Sequence, residues 1–217
     1  MPVTETKGFG SPKGLNDSVR EREVRPFAKG GRGVRNEDYR SRLSFTGEGA
    51  KTLSDDLSAQ LREILIEGGR VAHLFGVGNA IRQDDALGLE VISSLRRRLR
   101  SASQSLVRIH APSANTEGLI SNLASRGARI VVIDALQAQK EPGTVVCARL
   151  SETKFGFFAT HNVPLRLIPG VADNAANTFV IGIQPDVVGV GEGLSDVVKN
   201  ASNELVAMIA DLVESAE

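Results

Sequence analysis

The chain has 217 residues with 26 basic and 26 acidic side chains, a formal charge of zero that gives no support to a nucleic-acid partner. Its single cysteine excludes a disulfide framework and any multi-cysteine metal cluster, which fits a reducing compartment and leads us to expect a cytoplasmic protein. No apolar run approaches the roughly 18 residues of a membrane span, and Glu5, Lys7, Lys13 and Asp17 interrupt the start where an export signal would need an apolar core.

In chain order, residues 1–50 hold 13 apolar residues against 17 charged ones and 8 glycines. So little apolar surface cannot offset the entropy of ordering a backbone, and this stretch reads as a flexible extension with no assigned function. Residues 51–69 read as a leading helix. Leu53, Leu57, Leu61 and Leu65 recur on one face, Thr52 and Asp55 stand at capping-box spacing, and Gly68-Gly69 marks the stop. Residues 70–217 read as one α/β domain in which apolar runs alternate with segments of helical period. Strands are expected at Val71–Val77, Leu106–His110, Ile130–Leu136, Thr144–Leu150 and Phe179–Gln184. Helices are expected at Ala86–Leu99, Glu117–Ser125, from near Pro164, and at Ser195–Glu214. A run such as Ile130-Val131-Val132-Ile133 implies burial on both faces, hence a three-layer α/β fold with a largely parallel sheet and helices on each side. Ligands of such sheets bind beyond the carboxyl ends of the strands.

The first strand runs into Gly76-Val77-Gly78-Asn79-Ala80-Ile81-Arg82-Gln83-Asp84-Asp85-Ala86-Leu87-Gly88. A dinucleotide loop is disfavoured: Ile81 stands where a third glycine belongs, and the acids at the helix start would repel a pyrophosphate. Two readings of those acids remain at this point. Asp84 serves as an N-cap with Asp85 as a first-turn charge, or one of them does chemistry. Asp134 ends the third strand, and His161 in Thr160-His161-Asn162-Val163-Pro164-Leu165 precedes the expected helix. Asp85, Asp134 and His161 at equivalent edges of one sheet supply two carboxylates and one imidazole, a set suited to Ni, Zn or Fe with open coordination positions. His73, inside the first strand, reads as a hydrogen-bonded packed ring, and His110 as a neighbour of the site. Cys147 reads as a small core hydrophobe. Arg96–Arg100 reads as a solvated face near a helix end, and no Gly-x-Ser-x-Gly elbow supports a serine nucleophile.

Four motifs in this order resemble the hydrogenase maturation proteases: the loop Gly76–Gly88, Val132-Ile133-Asp134-Ala135, Thr160–Leu165, and Gly182-Ile183-Gln184-Pro185-Asp186 with Val188-Gly189. The last two look most like the branch that matures the hydrogenase of formate hydrogenlyase. The resemblance, from about Val71 to Glu214, implies an endopeptidase that trims the C-terminus of the [NiFe] hydrogenase large-subunit precursor. It implies Asp85, Asp134 and His161 as catalytic and metal-binding residues, with the nickel contributed by the precursor and not kept as a cofactor. No nucleic-acid or membrane partner is implied. The chain departs from the family after the second strand, where His110-Ala111-Pro112-Ser113 stands in place of the usual acid and glycines. Two other readings stay open here: a non-catalytic module that holds the nickel-loaded subunit, and a stand-alone zinc hydrolase.

Overall fold

Short apolar strands and amphipathic helices assemble as their residue types demand, and the computed structural model describes this for residues 48–99, 105–153 and 165–216. The elements are α1 (Glu48–Leu65), β1 (Ala72–Gly76), α2 (Leu87–Arg98), β2 (Val107–Ile109), α3 (Thr116–Ala124), β3 (Arg129–Ala135), β4 (Val145–Arg149), β5 (Thr178–Ile183) and α4 (Asp196–Glu214). The sheet has the order β2-β1-β3-β5-β4; all neighbours are parallel except β4, which runs antiparallel to β5. From β1 the chain goes to one side for β2 and to the other for β3. The crevice between the carboxyl ends of β1 and β3 is therefore the topological switch point, where open α/β sheets bind ligands.

Alternation along each strand sends side chains to two cores. Val131 and Ile133 of β3, with Leu74 and Ile181, pack against Leu61 and Leu65 of α1, Val91, Ile92 and Leu95 of α2 and Leu205 and Ile209 of α4. Ile130 and Val132, with Phe75, pack against Ile120 and Ala124 of α3 and against Ile168 and Val171. Each fully buried Leu or Ile contributes about 1.5–3 kcal/mol relative to exposure. Leu61 and Leu65 thus anchor α1 to the domain. Among the described residues, no helix is long and apolar enough to cross a membrane.

Three expectations need correction. First, α1 begins at Glu48 and not at Thr52, so it crosses the boundary expected at residue 50; Ala50 and Lys51 are good helix formers that carry it backward. Up to residue 47 the expected extension lies outside the described residues, as do the side chains of Thr52 and Asp55. Second, the helix expected from near Pro164 is, from Leu165 on, only a 3-10 turn at Leu165–Leu167 and a second at Ala175–Asn177. Pro169 disfavours helical backbone at Ile168, and Gly170 takes a left-handed φ of +79°, so the chain turns away. Third, Asp84 is not a helix cap: α2 starts at Leu87 with Ala86 at its N-cap and no side-chain capping bond. The stop at Gly68-Gly69 stands, with φ of +83° and +64° just beyond α1.

Candidate functional site

The loop leaving β1 folds back on itself because three of its glycines leave room for backbone. A Cβ on Gly76 would lie 2.0 Å from the carbonyl oxygen of Gly88, and one on Gly88 would lie 2.2 Å from that of Ile133. At Gly78, with φ of +144°, a Cβ would lie 1.9 Å from the carbonyl oxygen of Asp85. The Asn79 N–H donates to that same Asp85 carbonyl (3.0 Å). These close approaches, and not a phosphate, are what the glycines serve. They draw a 3-10 turn, Gln83–Ala86, against the end of β3.

The two acids of that turn have different work. Asp84 is fully buried and accepts four hydrogen bonds from one distant segment. The N–H groups of Asp186 (2.9 Å) and Val187 (2.8 Å) and the Ser195 hydroxyl (2.9 Å) donate to its Oδ2, and the Ser195 N–H (2.6 Å) donates to its Oδ1. Asp84 is thus a clasp that ties residues 186–195 to the turn carrying Asp85. Ser195 precedes α4 but turns its hydroxyl to Asp84 and makes no cap to its own helix. Sequence reasoning missed this role; the only local signal is that two acids stand side by side where one helix start needs at most one cap.

Asp85 is 2% exposed and Asp134 is fully buried. Asp134 lies on the face of β3 shared with Ile130 and Val132, and its Oδ1 accepts the N–H of Ala135 (2.8 Å). Asp134 Oδ2 and Asp85 Oδ1 are buried with no hydrogen-bond partner. Burial pushes the Asp134 carboxyl well above the usual carboxylate range; the Ala135 N–H opposes the shift, and the nearby Asp85 charge adds to it. Buried polar atoms are nearly always satisfied. Two unsatisfied carboxylate oxygens near the switch point are donors of the kind a divalent cation takes.

The third predicted residue, His161, lies outside the described residues. The ends of its segment are tied together, because the Arg166 guanidinium donates to the carbonyl oxygens of Leu150 and Thr153 (2.8 Å to the latter). Among the described residues no cluster of three or more His, Cys, Asp or Glu side chains is placed to hold a metal. Gln184 supports the loop that follows Asp134: its Oε1 accepts the N–H of Ala138 (2.8 Å), and its amide donates to Gln137 Oε1 (3.0 Å).

His110 joins His73. Their Nε2 and Nδ1 lie 2.9 Å apart, and the His110 ring stacks on Phe75 with centroids 4.4 Å apart. Burial, followed for His110 by the His73 charge and for both by Arg108, lowers both pKa values from 6.5. A base held neutral stabilises the fold fully above its unfolded pKa, and that contribution is lost as pH falls through the lowered values. Both rings should therefore titrate below 6.5 by NMR, and His110→Phe should flatten the loss of thermal stability as pH falls below 6.5. Rings titrating above 6.5 would contradict this. Cys147, on β4, has its thiol pushed up to about 12 by burial, which disfavours the reactive thiolate.

The fold is similar to that in the crystal structure of a [NiFe] hydrogenase maturation protease, HycI, from Thermococcus kodakarensis (TM-score 0.58, 24% identity, covering 71% of this chain and 98% of that one). It is also similar to the solution structure of an endopeptidase, HycI, from Escherichia coli (TM-score 0.51, 20% identity, covering 65% and 90%). At these identities the likeness is one of fold. A Methanocaldococcus jannaschii protein provisionally named a hydrogenase maturation protease is 29% identical over 147 residues, 63% of this chain and 92% of its own. The family model described as hydrogenase maturation protease matches residues 89–212, more than half of the chain. Fold and family model together define an α/β peptidase. The chain belongs to the hydrogenase maturation protease family, with Asp134 inside the matched residues and Asp85 four residues before them.

Proposed function

We propose that this peptidase removes a C-terminal peptide from the nickel-loaded large-subunit precursor of a [NiFe] hydrogenase, using Asp85, Asp134 and His161 to recognise the nickel that the precursor carries. The observation that carries the reading is the pair of orphaned oxygens, Asp85 Oδ1 and Asp134 Oδ2, buried together at the switch point. Hard carboxylate oxygens and a neutral imidazole complete the coordination of a nickel already held by soft thiolates without displacing them. Nickel thus enters as part of the substrate, and the protease recognises a precursor only when it is metal-loaded. The motifs Thr160–Leu165 and Gly182–Gly189 support placement in the branch that serves the hydrogenase of formate hydrogenlyase.

Purified chain is expected to shorten nickel-loaded precursor, read as a loss of mass from its C-terminus, and to leave nickel-free precursor whole. A loaded precursor of unchanged mass would remove the peptidase assignment for this substrate. Equal cutting of both forms would remove nickel from recognition.

A further inference from the structure

The peptidase site is flanked by an apolar platform that neither the acids nor the fold requires. The loop after β1 and the loop after β5 are bonded to each other through a parallel bridge between Arg82 and Gly191. The Gln83 N–H donates to the Gly191 carbonyl (2.9 Å), and the Gly191 N–H donates to the Ile81 carbonyl (3.0 Å). Where Gly191 faces inward in this way, the backbone groups of its two neighbours face outward. Accordingly, the N–H and C=O groups of Val190 and Glu192 make no hydrogen bond among the described residues. Three large apolar side chains crown the same two loops: Val190 is 92% exposed, Ile81 62% and Val187 42%.

An unpaired strand edge is a liability that proteins ordinarily cover or charge. Here the edge is the short Val190–Glu192 stretch, with exposed Val190 beside the exposed acid Glu192; it lies in the segment that Asp84 clasps and is bridged to the loop that carries Asp85. A peptidase must hold an extended polypeptide beside its site, and an open edge with apolar side chains is the surface that takes one by strand addition. We infer that the Val190–Glu192 edge pairs with an extended segment of the protein substrate next to the bond to be cut, and that Ile81, Val187 and Val190 receive its apolar side chains. This rests on the proposed function for the identity of the substrate. It adds where the substrate backbone lies and which residues set its preference.

The test uses the wild-type full chain titrated with nickel-loaded precursor, with complex formation read in the first moments after mixing, before precursor is consumed. Adding Val190→Asp or Ile81→Asp should weaken binding about tenfold. Leu119→Asp, on α3 and away from the platform, should not. Hydrogen exchange at the Val190 and Glu192 amides should slow when precursor is bound. Equal affinity across all variants, no binding to the platform-intact chain, or binding that leaves both amides exchanging freely each overturns the inference. Cleavage is followed separately over a longer incubation of the same mixtures. Binding lost on platform substitution, with no cleavage by the wild-type chain, would discard the peptidase reading and retain the docking edge.

Discussion

Asp134→Asn is expected to abolish precursor processing while making the isolated protein more stable. Loss of an outer-shell partner costs a metal site about 10- to 100-fold, so loss of a donor oxygen should lower processing at least about 100-fold. Stability moves the other way because Asp134 is fully buried, one of its oxygens has no partner, and a second carboxylate stands beside it. An asparagine keeps an oxygen for the Ala135 N–H and turns a donor toward Asp85. The gain should be about 1 kcal/mol, a rise of about 3 °C in Tm. The pH dependence has a definite sign. A carboxyl whose pKa is raised on folding stabilises the protein below its unfolded value of 3.8 and loses that contribution as pH rises through the raised value. The advantage of Asp134→Asn should therefore grow with pH and vanish in acid. A variant less stable than wild type at neutral pH would mean that Asp134 is a structural acid and not a poised ligand.

Asp84→Ala should act through the fold. Its carboxylate accepts three backbone N–H groups and one hydroxyl, and truncation leaves all four donors facing a cavity. Breaking a buried charged network of this kind costs about 3–5 kcal/mol, or a fall of about 10 °C or more in Tm. Ser195→Ala removes only the hydroxyl bond and should cost about 1 kcal/mol. Limited proteolysis should open the segment 186–195 in Asp84→Ala, and processing should fall with it, since the turn holding Asp85 loses its brace. A Tm within about 2 °C of wild type would show that the clasp contributes little. Asp84 and Asp134 therefore separate cleanly: removal of the first should unfold the site, whereas neutralising the second should firm it.

Much of the fold was legible because it rests on short-range patterns. Ile130-Val131-Val132-Ile133 can satisfy both faces only in a covered parallel sheet, and the strand boundaries found lie within about a residue or two of those expected. The helix from near Pro164 failed for an equally local reason, since Pro169-Gly170 stops a helix whose apolar pattern continues. The Gly76–Gly88 loop was recognised as a unit, but its glycines make room for protein backbone, which composition alone does not distinguish from room for a phosphate.

Residue order by itself determined the alternation of strands and helices, the placement of Asp85 in the loop after the first strand and of Asp134 at the end of the third, and the set of side chains available for chemistry. Only the tertiary structure decided which acid does what. Asp84 and Asp85 are adjacent and alike in sequence, yet the first meets donors more than a hundred positions away and the second is left with an orphaned oxygen. The pairing of His110 with His73 was likewise invisible before β2 lay beside β1. The reason is physical: pattern reports what each segment must bury, whereas the satisfaction of a buried charge depends on which distant backbone the folded chain brings to it.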